Sequence, residues 1–373
     1  MMRIAINCRS FLNKNYTGIG RYTSQLIQTL SEIDQENQYL LYAPKRFFSP
    51  RKKLPQLPAR NFSLKIDRFS RGVDKTVGSM DLYHSPSPEV WPRLNGTKVI
   101  VTVHDFIFKT YPQGHTASTI AAAQDQFQDI ASKAAKIICC SQSTLDDLNR
   151  YFKVEAKKTV LIYQGVNQKD FYPIDEKEGK LAEQMIRSKG INCPFILFVG
   201  TIEPRKNLRN LLVAFSLLKN KKVFTGKLVL IGMQGWMSDD LAGLVEELGI
   251  KEEVAFTGFL SNQELRHFYN KAMVFVFPSF YEGFGFPIVE AFSCGVPVVT
   301  SNVSSCPEIA SDAALKVNPN SPEDIARAVE RVLDESSLRN ELKQKGLKRA
   351  AQFTFSNTAR QTLKVYEEVY SKI

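Results

Sequence analysis

The sequence holds no C-x-x-C pair, no Asp-x-Asp triplet and no His-x-x-x-His or carboxylate cluster at metal-ligand spacing. A resident catalytic metal is therefore not expected. Six cysteines, Cys8, Cys139, Cys140, Cys193, Cys294 and Cys306, are scattered along the chain, which suits reduced thiols in a cytoplasm better than a disulfide framework. Long apolar runs are missing too, since stretches such as Met273-Val-Phe-Val-Phe277 fall far short of the ~20 residues of a membrane span. The start, MMRIAINCRS, alternates polar and apolar residues where a secretion signal has an unbroken apolar run of about 7–15. No export signal is expected, and triplets such as Asn95-Gly-Thr97 carry no glycosylation message.

What is present is globular. The chain has 373 residues, 43% hydrophobic and 23% charged, with 17 Pro and 20 Gly, which excludes a disordered, collagen-like or low-complexity protein. A single core stops growing at roughly 250–300 residues, so two domains are expected. Nearly all of the net charge of +11 falls within residues 1–170. It concentrates between Lys45 and Lys75, where Arg46, Arg51, Lys52, Lys53, Arg60, Lys65, Arg68 and Arg71 are opposed only by Asp67 and Asp74. Such an excess points to an anionic partner.

Short β-rich runs alternate with helical stretches. In the first half, strands are expected at Arg3–Asn7, Tyr39–Tyr42, Leu82–His84, Lys98–Val103, Lys136–Cys140 and Thr159–Tyr163, with helices near Gly20–Ile33, Thr116–Ala135 and Ser143–Tyr151. Residues 167–192 turn polar and lose the strand pattern, which places the domain boundary there. The alternation resumes with strands at Phe195–Val199, Lys227–Ile231, Val254–Thr257, Met273–Phe277 and Val298–Thr300. Pro322–Tyr370 reads as helices only, with Ser356 as N-cap of the last. The expected fold class is α/β, with two doubly wound parallel sheets facing across a cleft where the strands' carboxyl ends bind ligands.

Four segments carry chemistry. In Pro278-Ser-Phe-Tyr-Glu-Gly-Phe-Gly-Phe-Pro-Ile-Val-Glu290, a strand-to-helix turn, Gly283 and Gly285 allow tight backbone, and Pro287 suits the start of the helix. Such a helix start binds anions. Glu282 before the helix and Glu290 in its first turn then read as acceptors for ligand hydroxyls; the plainer alternative is a glycine turn with Glu290 favoured by the helix dipole. In Phe195–Asn207, a buried strand ends at Gly200 and a loop presents Arg205 and Lys206 before Asn207 caps a helix. Two cations there suit a leaving diphosphate, although adjacent basic loop residues are usually solvated.

The third segment, Asn15-Tyr-Thr-Gly18-Ile-Gly20-Arg-Tyr22, is a glycine-rich loop between the first strand and helix. It lacks the third glycine of a dinucleotide fingerprint, and the second strand runs into Lys45-Arg46 rather than an acidic ribose ligand, so NAD(P) binding is disfavoured. A tight turn and a backbone that approaches phosphate both remain open. The fourth, Val101-Thr-Val-His104-Asp105, ends a strand with one of only four histidines. His104 could meet a sugar hydroxyl, with Asp105 setting its tautomer or acting alone, or serve as a structural hydrogen-bonding group.

Together, Gly18-Ile-Gly20-Arg-Tyr, His104-Asp105, Glu203-Pro-Arg-Lys-Asn207 and Glu282-x7-Glu290 within FYEGFGFPIVEAFSCGVPVV resemble the retaining glycosyltransferases of family 4, with the GT-B fold and a bacterial mannosyltransferase-like style. The second half carries the more specific match. The first half matches at the glycine loop, at His104-Asp105 and at Val160-Leu-Ile-Tyr-Gln-Gly-Val.

The resemblance implies an N-terminal acceptor-binding, Rossmann-like domain over 1–180 and a C-terminal nucleotide-sugar domain over 190–352. It also implies a last helix, 356–373, that crosses back onto the first domain. Arg205 and Lys206 would bind the diphosphate, Glu282 the donor sugar's hydroxyls and Glu290 the ribose. Backbone of Phe284 and Gly285 would cradle sugar and phosphate. Gly18 and Gly20 would approach the diphosphate, His104 would contact the sugar, and the base would lie near Thr257–Leu260. Of these, Glu282, His104, Arg205 and Lys206 would carry the chemistry.

The implied activity is metal-independent, retaining transfer, without other cofactor, from a nucleotide sugar to a glycan or lipid-linked glycan in cell-surface polysaccharide assembly. GDP-mannose is the first expectation; UDP-glucose, UDP-galactose or GDP-rhamnose would leave the same motifs. The basic stretch Lys45–Lys75, interleaved with Phe47, Phe48, Leu54, Leu57, Phe62 and Phe69, suits a peripheral position on an anionic inner-membrane surface; a solvated basic face is the alternative. A nucleic-acid binder would share the charge but has no motif here, and an epimerase of the same architecture would share the fold.

Overall fold

A computed structural model describes residues 1–12, 18–45, 56–88, 96–114, 116–233 and 239–371. The chain divides into two compact units, Met1–Gly165 with Thr354–Ile373, and Val166–Phe353. The first is built on a seven-stranded sheet of β1 (Arg3–Asn7), β2 (Gln38–Ala43), β3 (Phe62–Ile66), β4 (Leu82–Ser85), β5 (Lys98–Val103), β6 (Lys136–Cys139) and β7 (Thr159–Leu161). The second has six strands, β8 (Phe195–Val199), β9 (Lys227–Ile231), β10 (Val254–Gly258), β11 (Val274–Phe277), β12 (Val298–Ser301) and β13 (Ala314–Val317). Every pairing is parallel, in the orders β3-β2-β1-β4-β5-β6-β7 and β10-β9-β8-β11-β12-β13. Helices pack on such sheets because central strands like Val274-Phe-Val-Phe277 are apolar on both faces and must be covered.

Each order reverses at one place, between β1 and β4 in the first unit and between β8 and β11 in the second. Loops leaving the carboxyl ends of those strand pairs diverge to opposite sides and leave a crevice.

Several expectations are corrected. Strands β3 and β13 escape the sequence pattern because each is a sheet edge carrying a lysine, Lys65 or Lys316, which blunts the apolar signal. Phe62, expected in a membrane-facing stretch, is buried and stacked on Tyr39 at 4.5 Å. Gly18 and Gly20 stand in the first turn of the helix Gly18–Ile33 rather than in a loop ahead of it; Asn15, Tyr16 and Thr17 lie outside the described residues. The last helix is capped by Thr354, whose hydroxyl accepts from Asn357 N, and not by Ser356.

The polar stretch after Gly165 belongs to the second unit. It forms the helix Glu176–Ser188, held because Arg266 brings Nε and NH2 to 3.0 and 2.6 Å from Glu178 Oε1, donates NH1 to the Asp170 carbonyl at 2.9 Å and lies over the Tyr172 ring.

The helix Phe355–Tyr370 packs in the first unit, against the helix Gly18–Ile33. Gly165 permits this return, since a Cβ there would sit 2.1 Å from Phe355 N. A buried polar chain fixes it: the Tyr366 hydroxyl is 2.6 Å from His84 Nδ1, and His84 Nε2 is 2.9 Å from Thr102 Oγ1. His84 is fully buried, and burial pushes its pKa down to about 3.

The unfolded chain titrates this imidazole near its ordinary ~6.5, so below that pH the unfolded state takes up a proton that the native state refuses. Stability is complete above the unfolded pKa and falls with pH, with a slope from His84 of up to ~1.4 kcal/mol per unit. Urea denaturation between pH 7 and 4.5 is expected to show this slope, and His84→Asn to flatten it. An unchanged slope in the variant would contradict the buried neutral imidazole.

Candidate functional site

The reversal between β8 and β11 brings together the loops that follow them. After β8 come Glu203 and then Arg205 and Lys206 in a short 3₁₀ turn, Pro204–Lys206; after β11 comes the loop carrying Glu282. Lys206 Nζ lies 2.6 Å from Glu282 Oε1, and Arg205 NH1 lies 2.9 Å from Glu282 Oε2. Arg205 Nε meets Glu203 Oε1 at 2.6 Å. Lys206 and Glu282 are each only 6% exposed, so their attraction acts with little screening by water. Lys206 also stands over the Phe277 ring at 5.0 Å.

Burial would raise the Glu282 pKa, but Arg205 and Lys206 outweigh it and hold the carboxyl down to about 2. It is ionised at any physiological pH. Burial lowers the pKa of Lys206, against the pull of Glu282.

The backbone around this cluster is tied from several sides. Asn207 adopts a left-handed conformation (φ 59°), and its Nδ2 donates to the carbonyls of Pro278 at 3.0 Å and Pro319 at 2.6 Å. Its side chain therefore does not cap the following helix, contrary to the expectation from sequence; it ties the two site loops to each other. Phe280 N donates to the Arg205 carbonyl at 2.8 Å, and Arg205 NH1 to the Tyr281 carbonyl at 3.1 Å. Glu282 N donates to Ser304 Oγ, while the Ser305 hydroxyl lies 3.0 Å from the carbonyls of both Glu282 and Phe284. Ser304 and Ser305 give no signal in the sequence, because nothing in Asn302-Val-Ser-Ser marks a loop that folds back onto residues some twenty positions earlier.

Gly285 is the N-cap of the helix Phe286–Ser293, at φ 97°, a conformation that explains the glycine. Pro287 sits in the first turn. Glu290 does not: the helix begins at Phe286, so Glu290 falls in the second turn, buried, and accepts from the Tyr269 hydroxyl at 3.1 Å. Phe284 is buried with its ring edge-on to Phe286 and Phe353. Leu260 is buried just after β10, the outermost strand, between the exposed Phe259 and the capping box of Ser261. The structure thus joins Arg205, Lys206 and Glu282 directly, with Glu290 and Leu260 on other elements of the same unit.

His104, Gly18 and Gly20 belong to the first unit. His104 follows β5; its Nε2 lies 2.6 Å from the Pro86 carbonyl and its Nδ1 2.7 Å from Gln164 Nε2. A carbonyl only accepts, so Nε2 carries the proton, and the Nδ1 lone pair receives the Gln164 amide. Burial lowers the imidazole's pKa further against the Pro86 contact and Asp105. Asp105 does not set the tautomer through a bond to the ring: its Oδ1 accepts from Ile107 N at 3.2 Å. Tyr22, one turn after Gly18 in the same helix, meets the His104 ring edge-on at 5.2 Å. Gln164 is visible in Tyr163-Gln-Gly-Val, but only the fold brings the end of β7 to the end of β5.

Among the described residues no three His, Cys, Asp or Glu side chains gather where a metal could be held, and no helix is long and apolar enough to cross a membrane.

Two family models cover most of the chain: "Glycosyltransferase Family 4" matches residues 16–170 and "Glycosyl transferases group 1" residues 183–349. O-antigen chain mannosyltransferase B of Escherichia coli is 30% identical over 94% of this chain and 96% of its own length. O-antigen chain mannosyltransferase RfbU of Salmonella typhimurium is 29% identical over 62% of this chain and 60% of its own. Among solved structures, a sucrose-phosphate synthase from Thermosynechococcus elongatus superposes with TM-score 0.81 at 21% identity, over 100% of both chains. The Anabaena protein HepE, solved with UDP and glucose, gives 0.74 at 15% identity, over 99% of this chain and 100% of its own. At such identities these two establish the fold alone.

Glu282→Gln leaves the Lys206 ammonium buried without its principal counter-charge and is expected to cost ~3–5 kcal/mol. The double replacement Glu282→Leu with Lys206→Met removes both charges and is expected to recover much of that loss. Urea denaturation of both variants reads the difference; equal destabilisation would mean that the pair is not coupled.

Proposed function

The chain belongs to the family 4 glycosyltransferases, with two parallel-sheet α/β domains of GT-B type, and from that premise we propose that it moves mannose from GDP-mannose to a hydroxyl of a glycan or lipid-linked glycan, with retention of configuration and no metal. The observation that carries the reading is the Arg205–Lys206–Glu282 cluster at the strand-order reversal of the second unit. Lys206 and Arg205 exchange part of their hold on Glu282 for the donor's diphosphate, and stabilise the charge that grows there as the glycosidic bond breaks. Glu282, anionic throughout, accepts hydrogen bonds from the sugar's hydroxyls. Glu290 takes the ribose, the backbone of Phe284 and Gly285 meets sugar and phosphate, and the base lies by Leu260. In the first unit, Gly18, Gly20 and His104 are read as ligand contacts, and the acceptor binds to this unit.

In the step itself, the acceptor oxygen bonds to the anomeric carbon on the face the diphosphate leaves. The bond from that carbon to the phosphate oxygen breaks, and the departing phosphate takes the acceptor's proton. No protein nucleophile is assigned. Mannose is supported by the names of the O-antigen relatives, and polysaccharide assembly by the same names.

The proposed location is the cytoplasmic membrane surface, bound peripherally through the basic stretch. Arg46, Phe47, Phe48, Arg51, Lys52, Lys53 and Leu54 lie outside the described residues. In the described part, Phe69 is 64% and Leu57 52% exposed, and Arg71 lies over Phe69 at 5.0 Å beside the exposed Arg68.

A thermal-shift panel of GDP, UDP, ADP, dTDP, GDP-mannose, UDP-glucose and NADPH tests the donor, because a ligand at 100 times its Kd adds ~2.7 kcal/mol. Selective stabilisation by GDP and GDP-mannose is expected. A UDP-selective shift would replace the donor, and a shift with NADPH alone would overturn the function. Lys206→Ala, checked for folding by circular dichroism, is expected to abolish turnover; a near-normal rate would remove the diphosphate role.

A further inference from the structure

One carboxylate of the ion cluster has no part in the transfer just described. Glu203 Oε1 lies in ion-pair contact with the Arg205 guanidinium, 2.6 Å from Nε, whereas Glu282 takes NH1 and Lys206 Nζ. Arg205 and Lys206 bring two formal positive charges and Glu203 and Glu282 two formal negative ones. A site meant only to grip a polyanion gains nothing from a second acid. Glu282 has a sugar to bind; Glu203 is fastened to the very cation that would receive phosphate.

Resting on the reading above, we propose that Glu203 sets the affinity of the site for diphosphate: its carboxylate, in ion-pair contact with Arg205, cancels one positive charge, so that the nucleoside diphosphate product is held loosely enough to leave. Its side chain keeps 15% of its exposure and that of Arg205 19%, against 7% for Lys206, so Glu203 and Arg205 form the wetter half of the cluster. The field of Glu203 reaches Lys206 as well, where it opposes the effect of burial.

The backbone here does not depend on the Glu203 side chain. Asn207 Nδ2 ties it to Pro278 and Pro319, and Phe280 N holds the Arg205 carbonyl. Replacing the carboxylate by an amide therefore changes charge without dismantling the loop.

The test is calorimetric titration of the full chain with GDP, UDP and inorganic pyrophosphate, for wild type, Glu203→Gln, Glu203→Asp and Lys206→Met, at low and high salt. Glu203→Gln is expected to bind pyrophosphate, and whichever nucleoside diphosphate wild type prefers, about tenfold more tightly, with the gain shrinking as salt rises. Product inhibition of turnover is expected to strengthen by the same factor, and Glu203→Asp to return both to the wild-type value. Unchanged or weaker binding in Glu203→Gln would overturn the inference and leave Glu203 as a strut for Arg205. Lys206→Met that binds diphosphate as tightly as wild type would overturn the placement of the phosphate site itself, and the inference with it.

Discussion

The buried ion pair between Lys206 and Glu282 is the constraint on which the rest of the second unit depends. Two opposite charges out of water are costly unless geometry and further hydrogen bonds satisfy them. Here that geometry is supplied by the loops after β8 and β11, which only the reversal of strand order makes neighbours. Asn207, Phe280 and the Ser304-Ser305 turn fasten those loops so that the pair stays aligned. A preorganised cation and anion at the end of a parallel sheet are what a charged leaving group and a polyhydroxylated sugar require. On the proposed reading, Lys206 meets the first and Glu282 the second.

The first unit is organised differently, around neutral rather than charged polar groups. His84 and His104 are both kept from protonation by burial, and each has both ring nitrogens engaged. Through Thr102 and Tyr22 the two lie in one set of contacts that includes Tyr366 of the last helix and the turn at Gly18 and Gly20. The C-terminal helix is thus part of the support of the first unit's strand ends.

Much of this architecture is legible in the amino-acid sequence. The β/α alternation marks central strands such as Phe195–Val199 and Lys98–Val103 at their observed bounds, because strands buried on both faces leave an unbroken apolar signal. Edge strands β3 and β13 are hidden by their charges. The spacing that singles out Arg205, Lys206 and Glu282 holds no information on which of them touch. Glu290 falls just past the first turn of its helix because Gly285 is the N-cap, so that the helix begins at Phe286, one residue before Pro287. Pro86, Ser304 and Ser305 carry no local signature, and Gln164 is legible only as part of its motif; their parts arise from contacts between strand ends far apart in sequence.

The central claim is that the cations now bound to Glu282 are those that hold the donor's diphosphate. A crystal structure of the protein with GDP-mannose or its unreactive 2-fluoro analogue measures this directly. The account predicts phosphate oxygens within hydrogen-bond distance of Lys206 Nζ and Arg205, with Glu282 turned to the sugar. A diphosphate bound elsewhere, with the Lys206–Glu282 pair undisturbed, would contradict it.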